Sequence, residues 1–110
     1  MTPETTQEVL FRETPPISTD AWDDIAKEIK DMLRRKQADY GEQNILQTGH
    51  LGLSVRLVDK SARLLHLVRK GEENPHFESV RDTYLDTAGY GIIGALLLDG
   101  RFPPEKENNQ

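Results

Sequence analysis

Acidic side chains recur at helical spacing near the C-terminal end of this chain. Glu78, Asp82 and Asp86 follow one another at intervals of four, and on a helix turning about 100° per residue they stack on one face. Like charges at that spacing repel, which calls for a compensating cation nearby. The same face runs on into Tyr90, Ile93 and Leu97, so the carboxylates open a stripe that becomes apolar. Carboxylates at the mouth of an interhelical cleft can hold hard cations through oxygen, typically Mg²⁺ with phosphate as co-ligand. A plainer reading makes Ser79 the helix cap with Asp82 as its capping-box partner, and leaves Asp86 in a simple ion pair.

A second stripe is mostly basic. Arg56, Asp59, Lys60 and Arg63 share it, with His66 and Lys70 beyond, and Asp59 to Arg63 and Arg56 to Lys60 are i,i+4 neighbours. Facing the acids, it would add phosphate-binding cations to a metal site, arginine being suited to bidentate oxygen contacts. Facing water, it is a salt-bridged surface of little energetic weight. A third set, Asp24, Glu28 and Asp31, lies nearly opposite the apolar face of its own helix and reads as solvated. The histidines His50, His66 and His76 have no metal-ligand spacing, and there is no Gly-rich phosphate loop, G-x-S-x-G elbow or dinucleotide fingerprint.

Three helices have to position these groups. The first starts after Ser18-Thr19-Asp20, carries Trp22, Ile25, Ala26, Ile29, Met32 and Leu33 on one face, and ends near Asp39-Tyr40-Gly41. Residues 41–50 read as a loop presenting polar groups beside Ile45-Leu46. The second helix spans about 51–70, with Leu57, Val58, Ser61, Leu65 and Val68 on its apolar face, and stops at Gly71. After a break at Asn74-Pro75, the third covers about 78–98 and ends at Asp99-Gly100. Its glycines, Gly89, Gly91 and Gly94, each cost a helix about 1 kcal/mol relative to alanine, so close helix-on-helix packing is expected there. No stretch alternates with period two. The fold class expected is all-α, a bundle of three main helices.

A chain of 110 residues allows one domain. Residues 1–17 read as a flexible arm, 18–101 as the helical domain and 102–110 as a flexible tail. The apolar fraction of 35% is low and the charged fraction of 30% high, which points to disordered ends or to a core completed by a second subunit, and a homodimer or homotetramer is expected. The net charge of −5 argues against polymeric nucleic acid as partner, while a small phosphorylated ligand needs only a few local cations. There is no cysteine, hence no disulfide, thiolate metal site or cysteine nucleophile. With no secretory signal and no apolar run long enough to cross a bilayer, the expected location is the cytoplasm.

Lys36-Gln-Ala-Asp39-Tyr40-Gly41 with Asn44, then Val55-Arg56, Asp59-Lys60 and Arg63-Leu64, then Glu78-Ser79-Val80 with Asp82-Thr83 and Asp86 through Tyr90, form an ordered pattern over about residues 20–99. The pattern resembles the phage and bacterial nucleotide modification-associated domain family. That family in turn is similar to the all-α nucleoside triphosphate pyrophosphohydrolases of the MazG and dimeric dUTPase group, which are oligomeric and use Mg²⁺ held by acidic residues on two helices. The resemblance implies a metal set of Glu78, Asp82 and Asp86, with Asp59, Asp82 or Asp86 activating water. It implies phosphate-facing Lys60 and Arg63, base- or sugar-facing Asp39, Tyr40 and Asn44, and Arg56 and Tyr90 in the same binding site. If phage-encoded, the protein would act in the host cytoplasm. One departure stands out: the pyrophosphohydrolases carry Glu-Glu-x-x-Glu on a preceding helix, where this chain has Asp23-Asp24 and Glu28.

Two functions are therefore expected, with a helical protein-interaction domain as a third, plainer reading. One is a Mg²⁺-dependent pyrophosphohydrolase acting on canonical or modified (d)NTPs. The other is a non-catalytic module that binds a nucleotide, to sequester it or to assist a modification enzyme.

Overall fold

The computed structural model describes residues 19–71 and 78–104. The N-terminal arm, the Asn74-Pro75 break, His76 and the tail from 105 onward lie outside the described residues. Helices are α1 (Thr19–Tyr40), α2 (Gln43–Leu46), α3 (Gly49–Lys70) and α4 (Val80–Leu98). The fold is all-α, with no strand among the described residues.

Chain punctuation sets the helix ends. Gly41 and Gly71 both adopt φ +74°, a left-handed conformation open to glycine at no steric cost. The Gly71 N–H donates to the Leu67 and Val68 carbonyls, closing α3. At the start of α4, extended Ser79 (ψ 165°) accepts a hydrogen bond on Oγ from the Asp82 N–H at 3.0 Å. Glu78 therefore precedes the helix. The expected i, i+4, i+8 stack of acids does not form, because the extended cap residue swings Glu78 off the helical spiral. The loop expected over 41–50 contains α2, whose Ile45 is buried, and α3 begins at Gly49.

Helix α4 lies between the other two long helices. It runs antiparallel to α3: Gly94 faces Leu53, while Lys60 reaches Asp86 and Arg63 reaches Glu78. On its other flank α1 runs parallel, Glu28 meeting Arg81 and Leu33 meeting Gly89. A Cβ added to Gly89 would stand 2.9 Å from Leu33 Cδ2 and 3.3 Å from Met32 Cε. The close packing expected of the α4 glycines is thus met within the chain at Gly89; at Gly91 nothing lies within 4 Å.

The buried face of α3 is not the one its spacing predicts. Leu53 and Leu67 are buried, with Leu57 and Leu64 part-buried, whereas Val58 and Leu65 are 67% and 50% exposed. The helix is apolar on two sides, so periodicity alone does not say which side meets α4. The exposed side is a seam of Leu51, Val55, Val58, Ala62 and Leu65 at spacings of four and three. On α1, Ile29 is buried but Trp22 and Ile25 remain exposed. Among the described residues, Ile29, Ile45, Leu53, Leu67, Val80 and Leu85 form the buried apolar core. No described helix is long and apolar enough to cross a membrane.

Candidate functional site

Where α1, α3 and α4 approach one another, two carboxylates and three cations interlock. Lys60 Nζ on α3 stands 2.6 Å from Glu78 Oε1 and 3.1 Å from Asp86 Oδ2. Lys36 Nζ on α1 reaches the other Asp86 oxygen at 2.9 Å. Arg63 Nη2 donates to the Glu78 backbone carbonyl at 2.8 Å. Its Nε lies 2.9 Å from Glu78 Oε2, near enough for an ion pair but not aligned for a hydrogen bond. Thr83, with no exposed surface, lies behind Glu78. Its hydroxyl is 2.9 Å from Glu78 Oε2 and 2.8 Å from the Ser79 carbonyl and shares one proton between them.

Burial pushes the Asp86 carboxyl up. The Lys36 and Lys60 ammoniums that donate to it outweigh burial and hold the group below the usual carboxylate value. Burial likewise disfavours the Lys60 ammonium, but its hydrogen bonds to Glu78 and Asp86 prevail and raise its pKa. Both groups are thus kept charged by each other.

Asp86 and Lys36 also line a groove of about 1660 Å³ between α1, the α2 segment and α4. Its walls carry four cations, Lys30, Arg34, Lys36 and Arg56, against two carboxylates, Glu42 and Asp86. In a chain of net charge −5 this is a local reversal of sign. Arg56 organises one end. Its guanidinium stacks 5.8 Å from the Tyr90 ring centroid and donates through Nη2 to the Asn44 carbonyl (2.9 Å) and Oδ1 (3.2 Å). Tyr40 adds a second, exposed aromatic ring, and Met32, Leu33, Ile93 and Leu96 line the groove with apolar surface.

The residues singled out by sequence thus fall into three groups. Lys60, Arg63, Glu78 and Asp86 converge, and Asn44, Arg56 and Tyr90 form an adjoining cluster in the groove where Tyr40 also lies. Asp39, Asp59 and Asp82 do not join them: all three are exposed, Asp39 does not line the groove, and Asp82 contributes only its backbone N–H to the Ser79 cap. Asp24 is also exposed and Asp31 pairs with Lys27 along its own helix, whereas Glu28 departs from the solvated reading by pairing with Arg81 on α4. Two participants carry no assigned role in the sequence reading, Lys36 and Thr83. A signal for Lys36 exists, since it continues the Ile29-Leu33 side of α1 and so points where that apolar stripe points. Thr83 has none.

Mg²⁺ does not fit this donor set as arranged. The two carboxylates that converge already flank an ammonium, and among the described residues no three His, Asp or Glu side chains come together. A divalent ion between Glu78 and Asp86 would have to take the position of Lys60 Nζ.

No family model, curated protein or solved structure matches this chain.

Proposed function

We propose that this domain binds a nucleotide or similar phosphorylated small molecule in the groove, either sequestering it or presenting it to a modification enzyme. The observation that carries this is the cationic groove in an acidic chain, with Arg56 stacked on Tyr90 and Lys36 lining the same groove. Cations suit phosphate oxygens, and the tyrosine faces and apolar walls suit a planar base. The resemblance to nucleotide modification-associated domains agrees with it. Calorimetry against canonical and modified dNTPs and NTPs tests the proposal: a ligand that binds the parent protein should lose most of its affinity in Arg56→Ala. Equal affinity in that variant, or silence across the panel, would sink it.

A Mg²⁺-dependent pyrophosphohydrolase releasing a nucleoside monophosphate and pyrophosphate is the second reading. Its support is the resemblance alone, because Glu78 and Asp86 converge around the Lys60 ammonium and not around an open metal position. A phosphate-release assay with added pyrophosphatase separates the two, and full-rate turnover by Asp86→Ala would remove Asp86 from any such mechanism. We further propose that the protein works in the cytoplasm as a homo-oligomer. The exposed α3 seam of Leu51, Val55, Val58 and Leu65 supports self-association, because such a stripe is unfavourable in water. Light scattering should show Val58→Lys shifted to a smaller species.

A further inference from the structure

We infer that the Lys60 ammonium holds, as a permanent part of the fold, the seat a divalent cation would take between Glu78 and Asp86, so that phosphorylated ligands are recognised without metal. The second half of this rests on the nucleotide-binding reading; the first does not.

Geometry carries the inference. Lys60 Nζ contacts one oxygen from each carboxylate, at 2.6 and 3.1 Å, which is how an ion bridging the pair would be shared. The remaining oxygens are also engaged: Asp86 Oδ1 by Lys36, and Glu78 Oε2 by Arg63 and the Thr83 hydroxyl. Each carboxylate oxygen thus has a donor or cation, and no unmet negative charge calls for a second ion. The Lys60 side chain is only 20% exposed and its two contacts tie α3 to α4, so leaving the seat would strand two part-buried carboxylates. Lys36 differs. Its side chain is 43% exposed and it lines the groove. It can keep one contact with Asp86 and offer its other N–H donors to a ligand phosphate. Asp86 then serves to hold the Lys36 ammonium at the groove wall, with Lys60 balancing the carboxylates behind it, and Lys36 supplies positive charge of the kind Mg²⁺ supplies in metal-dependent phosphate sites.

Titration of Mn²⁺ into the full-length protein, followed by the electron paramagnetic resonance signal of the free ion, tests the seat directly. The parent protein should leave the signal unchanged at stoichiometric ion. Lys60→Met should bind Mn²⁺ at least about tenfold more tightly, because the two carboxylates regain an empty site between them. Adding Asp86→Asn to that variant should abolish the gain. Stoichiometric Mn²⁺ binding by the parent protein, lost in Asp86→Asn, would overturn the inference. So would a folded Lys60→Met that gains nothing. Should Lys60→Met not fold, Lys60→Gln replaces it, and the parent titration still decides whether the seat is taken.

The second arm uses thermal shifts with inorganic tripolyphosphate and the nucleotide panel, in EDTA and in Mg²⁺. Equal stabilisation in both supports metal-independent recognition, and stabilisation only with Mg²⁺ refutes it while leaving nucleotide binding intact. If no probe binds in either condition, both the nucleotide reading and metal-independent recognition fall, and the Mn²⁺ comparison still decides the seat.

Discussion

Two ion-pair systems tie α4 to its flanking helices, and they differ in kind. On one side Arg81 grips Glu28 through two hydrogen bonds of 2.6 and 2.7 Å, with side chains 54% and 42% exposed. Around Asp86 the distances are no shorter, 2.6 to 3.1 Å, but Lys60, Glu78 and Asp86 are 20%, 19% and 11% exposed. Contact distance does not rank these systems; solvent does. Water competes for and screens the Glu28–Arg81 pair, so it adds little to stability despite good geometry. In the part-buried network each charge depends on its partners, and loss of one strands the others. Only the second arrangement can hold side chains in fixed positions for a ligand.

The contrast can be broken most forcefully at Lys60. Lys60→Met leaves Glu78 and Asp86 facing each other without their shared cation and should cost about 2 kcal/mol in urea unfolding, a buried-pair loss reduced for partial exposure. Acid should act on the same network. The folded pKa of Asp86 lies below the ordinary 3.8, so its contribution is complete above that value and fades as pH falls through the lower folded pKa. Lys60, raised above 10.5, contributes fully below that value and loses its contribution as pH rises through the higher folded pKa. As far as this pair goes, urea midpoints should hold steady between about pH 5 and 9 and fall on both sides. Asp86→Asn should flatten part of the acid limb; an unchanged acid limb would mean that the network adds nothing.

Smaller effects sharpen the comparison. Thr83→Val keeps the shape but removes the hydroxyl behind Glu78, and should cost about 1 kcal/mol in the same unfolding experiment. The smallest change is expected at Arg81→Ala, which should leave the melting temperature within error in physiological salt. A clear drop there would erase the distinction between the two systems.

Much of this was legible in the residues. Glycines at 41 and 71 mark helix ends because few other residues tolerate φ +74°, and Ser79 caps α4 through a contact three residues long. The solvated reading of Asp24 follows from its position opposite an apolar face, while Glu28, read the same way, instead reaches Arg81 on α4. Other features were not legible. Glu78 looks like the first acid of a helical stack, yet one extended residue removes it from the spiral and returns its carboxylate to Lys60.

Sequence by itself therefore determined the three long helices, their C-terminal ends and the types of charge available, because caps, turns and helical spacing act over three or four residues. Tertiary structure alone decided which side of the doubly apolar α3 faces α4, and that Lys36, Lys60, Glu78 and Asp86 share one cluster while Asp59 and Asp82 stay outside. Those outcomes depend on how α1, α3 and α4 rotate against one another, a choice made by side-chain packing between segments 18 to 50 residues apart.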